Sequence, residues 1–283
     1  MFRAYYLLTK PGIVYSNVMT AAAGYLLASV WHIHPWQCFS LLAGTALVIA
    51  SACVCNNYLD RTIDQKMART RTRALATGVI SPAQAFIFAS LLAAGGFGAL
   101  LLTNWLVEGL GVMAFISYVG LYGLAKRRTK HGTLVGTLPG AASLVAGYVA
   151  VTGAFDIIAL LLFAVMVIWQ MPHFYAIAMR RIDDYRAAGL PVWPVKEGML
   201  STKRFIILYV ALFLAADTVL GIYGHLGVVY LVGMGAIACY WLMRGVLGLH
   251  TADDRAWAGS MFGLSLLVLL SLSAGLAVGR LLV

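Results

Sequence analysis

The sequence predicts an all-α membrane protein: nine transmembrane helices in one bundle, with the N-terminus in the cytoplasm. Three observations carry that reading. Of the 283 residues, 62% are hydrophobic and only 11% are charged, where soluble domains carry roughly 25% charged residues; the mean hydropathy is +0.88. The apolar residues fall in runs of about 20, the length a helix needs to cross a bilayer, not in the short alternating segments of a barrel. Basic residues cluster at alternate ends of those runs.

The runs lie at 12–31, 38–58, 83–103, 105–125, 133–153, 156–178, 205–223, 226–248 and 258–280. The first follows Arg3 and Lys10 and is too long for a signal-peptide core, so it is expected to be retained. The second ends in the densest polar stretch of the chain. The third and fourth are separated by a very short turn, and the fourth runs into Lys126, Arg127 and Arg128. The sixth contains Pro172, which lacks an N–H and frees a backbone carbonyl inside the span. The seventh carries Asp217 toward its outer half, and the ninth closes the chain. The whole chain, 1–283, reads as one domain. The loops after the second and sixth spans both contain acids, which suggests two four-helix halves, roughly 12–125 and 133–248, plus a ninth helix.

Counting charges by side gives the orientation. The N-terminus and the loops 59–82, 126–132, 179–204 and 249–257, with their helix ends, hold 19 of the 20 Lys and Arg residues; Arg280 is the exception. The positive-inside rule puts that face in the cytoplasm. Seven of the ten acids share it, so polar chemistry is expected there. The net charge of +10 is thereby accounted for by topology and does not imply nucleic-acid binding. The four cysteines lie in or near apolar segments without C-x-x-C spacing, against a disulfide framework or zinc site.

The stretch Asn56-Asn57-Tyr58-Leu59-Asp60-Arg61-Thr62-Ile63-Asp64 places an amide and two carboxylates at i, i+4 and i+8. If the helix continues, they share one face about 6 Å apart along the axis. Lys66, Arg69, Arg71 and Arg73 follow. Paired carboxylates beside clustered cations suit a hard metal ion that carries a polyphosphate, although the spacing fits a charged cytoplasmic loop equally well. Tyr122 and Lys126 are one helical step apart at another span end, where a phenol and an ammonium suit an anionic oxygen; an interfacial aromatic with topology charges reads the same way. Trp169-Gln170-Met171-Pro172-His173-Phe174-Tyr175 puts a titratable ring beside a helix break, able to ligate a metal or simply to hydrogen-bond in the core. Asp183 and Asp184 are adjacent and point about 100° apart, so at most one of them assists a metal directly.

The pattern N-x-x-x-D-x-x-x-D (Asn56, Asp60, Asp64), then Arg69 and Arg73, then Y-x-x-x-K (Tyr122, Lys126), resembles the UbiA-type intramembrane prenyltransferases. Within that superfamily the chain is most similar to the protohaem IX farnesyltransferases, or haem O synthases. The particular matches are Thr9-Lys10-Pro11-Gly12-Ile13 with Asn17, Asn56 to Asp64, Trp169 to Phe174, and Asp184-Tyr185-Arg186-Ala187-Ala188-Gly189-Leu190-Pro191. The resemblance spans nearly the whole chain. It departs in two places: relatives often carry a second D-x-x-x-D, where this chain has His173 and Asp183-Asp184, and many have proline where this chain has Ala74.

The resemblance implies the UbiA-type fold and transfer of a farnesyl group from farnesyl diphosphate to a vinyl group of protohaem IX, with water added and diphosphate released, giving haem O. It implies Mg²⁺ held by Asp60 and Asp64 with Asn56, phosphate oxygens bound by Arg69, Arg73, Lys126 and Arg127, and a hydrogen bond from Tyr122. His173 is the candidate haem-side residue, as iron ligand or proton-handling group. Arg180 or Arg181 would pair with the propionates, and Asp183 or Asp184 would assist the cofactor. The expected location is a bacterial-type inner membrane with the active site on the cytoplasmic side. Partners are the two substrates and membrane lipid, with a downstream haem-modifying enzyme or terminal oxidase as candidate. An aromatic-acid or quinone-precursor prenyltransferase is the alternative. A secondary transporter fits poorly, because the acids cluster at one face instead of the midplane.

Overall fold

A computed structural model describes residues 1–281, all-helical apart from turns and connecting loops. The elements are α1 (Phe2–Leu8), α2 (Pro11–Ser29), α3 (Pro35–Asp64), α4 (Pro82–Leu101), α5 (Trp105–Ile116), a π-helical turn (Ser117–Tyr122), α6 (Gly123–Arg128), α7 (Gly132–Thr152), α8 (Ile157–Arg180), α9 (Ile182–Ala187), α10 (Trp193–Tyr223), α11 (Gly227–Leu247) and α12 (Asp254–Val278), closing with a 3₁₀ turn, Gly279–Leu281.

Among the described residues, eight helical segments are long and apolar enough to cross a membrane, where the sequence predicts nine. The difference is the first expected span. It forms α2, only 19 residues long and diluted by Ser16, Asn17 and Thr20. The expected fourth span is the continuous rod Trp105–Arg128, made of α5, the π-helical turn and α6. The loop expected over 179–204 is largely helical: α9 occupies part of it, and α10 begins at Trp193, turning at Gly198, whose φ of 81° is easily reached only without a side chain.

Local chemistry sets the helix ends. Pro11, Pro35 and Pro82 sit in first turns, where the missing N–H costs nothing. Ser81 and Gln84 form a reciprocal capping box on α4. Asn104 caps α5 at Val107 N (2.9 Å), and Asp156 caps α8 at Ala159 N (2.9 Å) while accepting from Tyr148 Oη (2.9 Å). These caps account for Asp156 without any role in catalysis.

The long helices form a closed ring: α2 packs on α3, α3 on α4, α4 on α5, α5 on α7, α7 on α8, α8 on α10 and α12, and α12 returns to α2. Helix α2 approaches α7 at backbone distance. A Cβ on Gly24 would collide with the Leu144 carbonyl, and one on Gly147 with the Ala21 carbonyl. Small residues on both sides therefore let two backbones meet, as lipid-embedded packing requires. Asp217 faces neither water nor cavity: it is buried and accepts a hydrogen bond from Tyr230 Oη at 2.6 Å, tying α10 to α11.

Candidate active site

The ring encloses a cavity of about 560 Å³, within the range of small-molecule sites. Its polar end lies under the loops and its apolar end among the helices. The polar end is built on α3, which stays helical through Asp64 as the i, i+4, i+8 spacing requires. Asn56, Asp60 and Asp64 all line the cavity and are 3%, 8% and 2% exposed. They are not a solvated charged loop.

Cations from three different segments converge on that face. Lys126 Nζ is ion-paired with Asp60 Oδ2, and Arg127 Nη2 donates to Asp60 Oδ1 at 3.1 Å. The loop after α3 doubles back, with Thr70 Oγ1 donating to Asp64 O at 3.0 Å. That turn brings Arg73 Nη1 onto both carboxylate oxygens of Asp64 (3.0 and 2.9 Å) and onto Asn57 Oδ1 at 3.2 Å. Arg69 lines the mouth.

The fifth cation is Lys10, to which the sequence reading assigns no role at the site. Its Nζ donates to Asn56 Oδ1 at 2.6 Å. Burial pushes its pKa down from 10.5 to about 8. Lys10 also holds a left-handed backbone (φ 51°, ψ 68°) between α1 and α2. For a non-glycine residue that conformation is strained, and such strain concentrates at functional sites. The proline after it was the available signal, since Lys-Pro cannot continue a helix through position 10.

The π-helical turn sets the rest of the mouth. Such turns insert an extra residue and are frequent at functional sites. Here Tyr118 and Tyr122 stack at 5.6 Å with an interplanar angle of 21°, and Lys126 Nζ lies 5.2 Å from the Tyr122 ring centre. All three face the cavity. Tyr185 of α9 joins them, its hydroxyl pKa raised by burial.

Among the described residues, no group of three or more His, Cys, Asp or Glu side chains could hold a metal by itself. Two carboxylates one turn apart, already neutralised by three cations, suit a hard cation that brings further oxygen ligands with it. Asn56 fits a different part. Its Oδ1 is taken by Lys10, and its buried Nδ2 has no partner, so in this geometry it offers a donor to an anionic oxygen.

At the apolar end, His173 lines the cavity with Trp169, Phe262 and Leu266. Several expected residues are elsewhere. Asp183 is 68% exposed and pairs outward with Arg255 and Arg186. Asp184 Oδ1 accepts the Ala68 backbone N–H at 3.0 Å, stitching α9 to the loop after α3. Neither lines the cavity, which corrects the expectation of a cofactor role: both carboxylates are spent on tying loops together. Arg181 is exposed and off the cavity wall, and Arg180 lies outside it with its guanidinium 5.1 Å from the Phe262 ring centre. Arg127 reaches Asp60 from outside the cavity wall.

Residues 17–270 match the model of the UbiA prenyltransferase family. The protoheme IX farnesyltransferase of Citrobacter koseri is 45% identical over 280 residues, 98% of this chain and 95% of the relative. Among solved structures, that of a digeranylgeranylglyceryl phosphate synthase aligns with a TM-score of 0.80 at 18% identity, covering 98% of both chains. A UbiA homologue from Archaeoglobus fulgidus bound to GPP and Mg²⁺ aligns at 0.73 and 16% identity, covering 96% of this chain and 99% of that one. A helical ring around a cavity, with Asn56, Asp60 and Asp64 on its wall, thus coincides with a family match over most of the sequence: the chain belongs to the UbiA prenyltransferase family, in its protohaem IX farnesyltransferase branch.

Proposed function

We propose that this protein transfers the farnesyl group of farnesyl diphosphate to a vinyl group of protohaem IX, giving haem O and diphosphate. The observation that carries the reading is one cavity with two unlike ends, an anion site at the polar mouth and a histidine among aromatics at the apolar end. The identity with curated farnesyltransferases supports the substrates.

The chemistry follows from the residues. The C1–O bond of the allylic diphosphate breaks with its electron pair going to diphosphate. The vinyl π pair then forms the new C–C bond, and water adds to the adjacent carbon and loses a proton. Leaving is fast only if the growing charge on diphosphate is stabilised by groups already in place. Asp60 and Asp64 would hold Mg²⁺, which when bound to the diphosphate neutralises that charge. Lys10, Arg69, Arg73 and Lys126 bind phosphate oxygens, Arg127 assists through Asp60, and Asn56 Nδ2 and Tyr122 donate hydrogen bonds. The tyrosines Tyr118 and Tyr122 offer π faces to the allylic cation. Val48, Ile49 and Ala52 of α3 give the isoprenoid an apolar wall. His173 faces the haem, as iron ligand or as acceptor of the water proton, and Arg180 pairs with a propionate at the membrane surface.

We also read α2 as a ninth crossing, supported by its packing along α7, α3 and α12, and the polar mouth as facing the cytoplasm of a bacterial inner membrane, supported by the Lys and Arg distribution. Purified protein incubated with haem, farnesyl diphosphate and Mg²⁺ should produce haem heavier by one farnesyl group and one hydroxyl group. Unmodified haem from folded protein would overturn the proposal.

A further inference from the structure

The apolar end contains a side-chain pair that joins two helices, His173 on α8 and Ser265 on α12. Ser265 is wholly buried. Its Oγ lies 2.6 Å from the Phe262 carbonyl oxygen and 2.8 Å from His173 Nδ1. Two oxygens that close need a hydrogen between them, and the carbonyl has none, so the hydroxyl proton is committed to Phe262 O. Nδ1 must therefore be the donor to the Ser265 oxygen. A neutral imidazole carries one N–H, so the lone pair belongs to Nε2. Nε2 has no hydrogen-bond partner among the described residues, and the ring lines the cavity.

The ring plane is fixed as well. His173 stacks on Trp169 (5.0 Å, 24°) and against Phe262 (5.0 Å, 31°). Trp169 is in turn anchored by its Nε1–H, which donates to the Ser265 backbone carbonyl at 2.9 Å. One residue of α12 thus meets both the imidazole and the ring stacked on it. Either role for His173 requires this state: iron takes a lone pair, and so does a proton.

We propose that Ser265 is a positioning residue that holds His173 as the Nδ1–H tautomer and presents the Nε2 lone pair to the haem acceptor. This rests on the haem-side reading of His173. Partners of this kind behind a metal-facing histidine typically change metal affinity by about 10–100-fold.

The test uses full-length protein in lipid nanodiscs, with ferrous and ferric haem as probes. Ser265→Ala should weaken haem binding about 10–100-fold and shift the Soret band. Ser265→Thr, which keeps the hydroxyl, should stay within about threefold of wild type. The KM for farnesyl diphosphate should not move in either variant. ¹⁵N-histidine NMR of haem-free protein, subtracting the spectrum of His173→Ala, should show a protonated Nδ1 and a bare Nε2. A wild-type haem spectrum and affinity in Ser265→Ala, with both lost in His173→Ala, would overturn the positioning role while leaving His173 in place. So would equal losses in Ser265→Ala and Ser265→Thr, or a protonated Nε2 in the NMR difference. A His173→Ala protein that binds and converts haem normally would instead sink the reading of His173 itself.

Discussion

Asp60 is paired with Lys126 and Arg127 before any substrate arrives, so replacing it should have two effects of opposite sign. Asp60→Asn keeps the shape of the side chain and removes one negative charge. With Mg²⁺ present, turnover should fall at least about 1000-fold, because transition-state charge stabilisation is worth several kcal/mol. Without Mg²⁺, diphosphate binding should improve. In the wild type, a phosphate oxygen about 5 Å from the Asp60 carboxylate is repelled by about 3 kcal/mol at an effective dielectric of about 20. The mouth is open to water and Arg127 is 38% exposed, so screening reduces this to about 1.5–3 kcal/mol, or about 10–100-fold in affinity. Calorimetric titration with a non-reactive farnesyl thiodiphosphate, in EDTA and then in Mg²⁺, reads both effects. Metal-free affinity that falls in Asp60→Asn, or Mg²⁺ dependence that survives intact, would show that Asp60 neither masks the cations nor receives the metal.

Three further outcomes are expected. Lys10 is charged in the unfolded chain up to about pH 10.5 but in the folded, ligand-free protein only up to about pH 8. The stability lost to the buried ammonium is therefore present in full below pH 8 and relieved between about 8 and 10.5. Lys10→Met should be more heat-stable than wild type at pH 7, with the advantage shrinking over that window, and its metal-free diphosphate affinity should be weaker and flat where the wild-type affinity declines above pH 8; parallel melts and titrations across that range check it. Gly147→Leu should lower the melting temperature sharply and abolish turnover, because its side chain meets the Ala21 carbonyl where α2 and α7 touch; a wild-type melt would refute that crossing. Tyr230→Phe leaves the buried Asp217 without its donor and should cost about 1–3 kcal/mol of stability, read by denaturation, while turnover at permissive temperature stays unchanged.

The parts of the protein legible in its sequence are those written along single helices. Asn56, Asp60 and Asp64 follow from a four-residue period, and Tyr122 with Lys126 from another, so α3 and the rod ending at Arg128 could be read in advance. What could not be read depends on which helices meet. Lys10 looks like an orientation charge until α2, pressed onto α7 through Gly24 and Gly147, is seen to bring it to a residue 46 positions away. Ser265 sits in an apolar run with nothing to mark it until α12 lies against α8. Asp183 and Asp184 misled for the converse reason: an acid pair in a loop near the site suggests ligation, while the contacts that decide its use come from Arg255 and the Ala68 amide, distant in sequence. The first expected span stands apart from the other eight because α2 gives up hydrophobicity to Ser16, Asn17 and Thr20; Asn17 and Thr20 line the cavity, and Asn17 Oδ1 accepts from Ser143 Oγ.

A single cavity whose two ends belong to different solvents has a consequence for direction. The reaction converts an amphiphile and a planar pigment into two products that no longer prefer the same medium. Diphosphate, stripped of its fifteen-carbon tail, is at home only in water, beyond the ring of lysines and arginines. The pigment, having gained that tail, is drawn more strongly into lipid than before. Each product is thus pulled away on its own side of the boundary, and re-encounter needs both to return against their solubility. A chamber laid across the interface separates what it makes as well as making it.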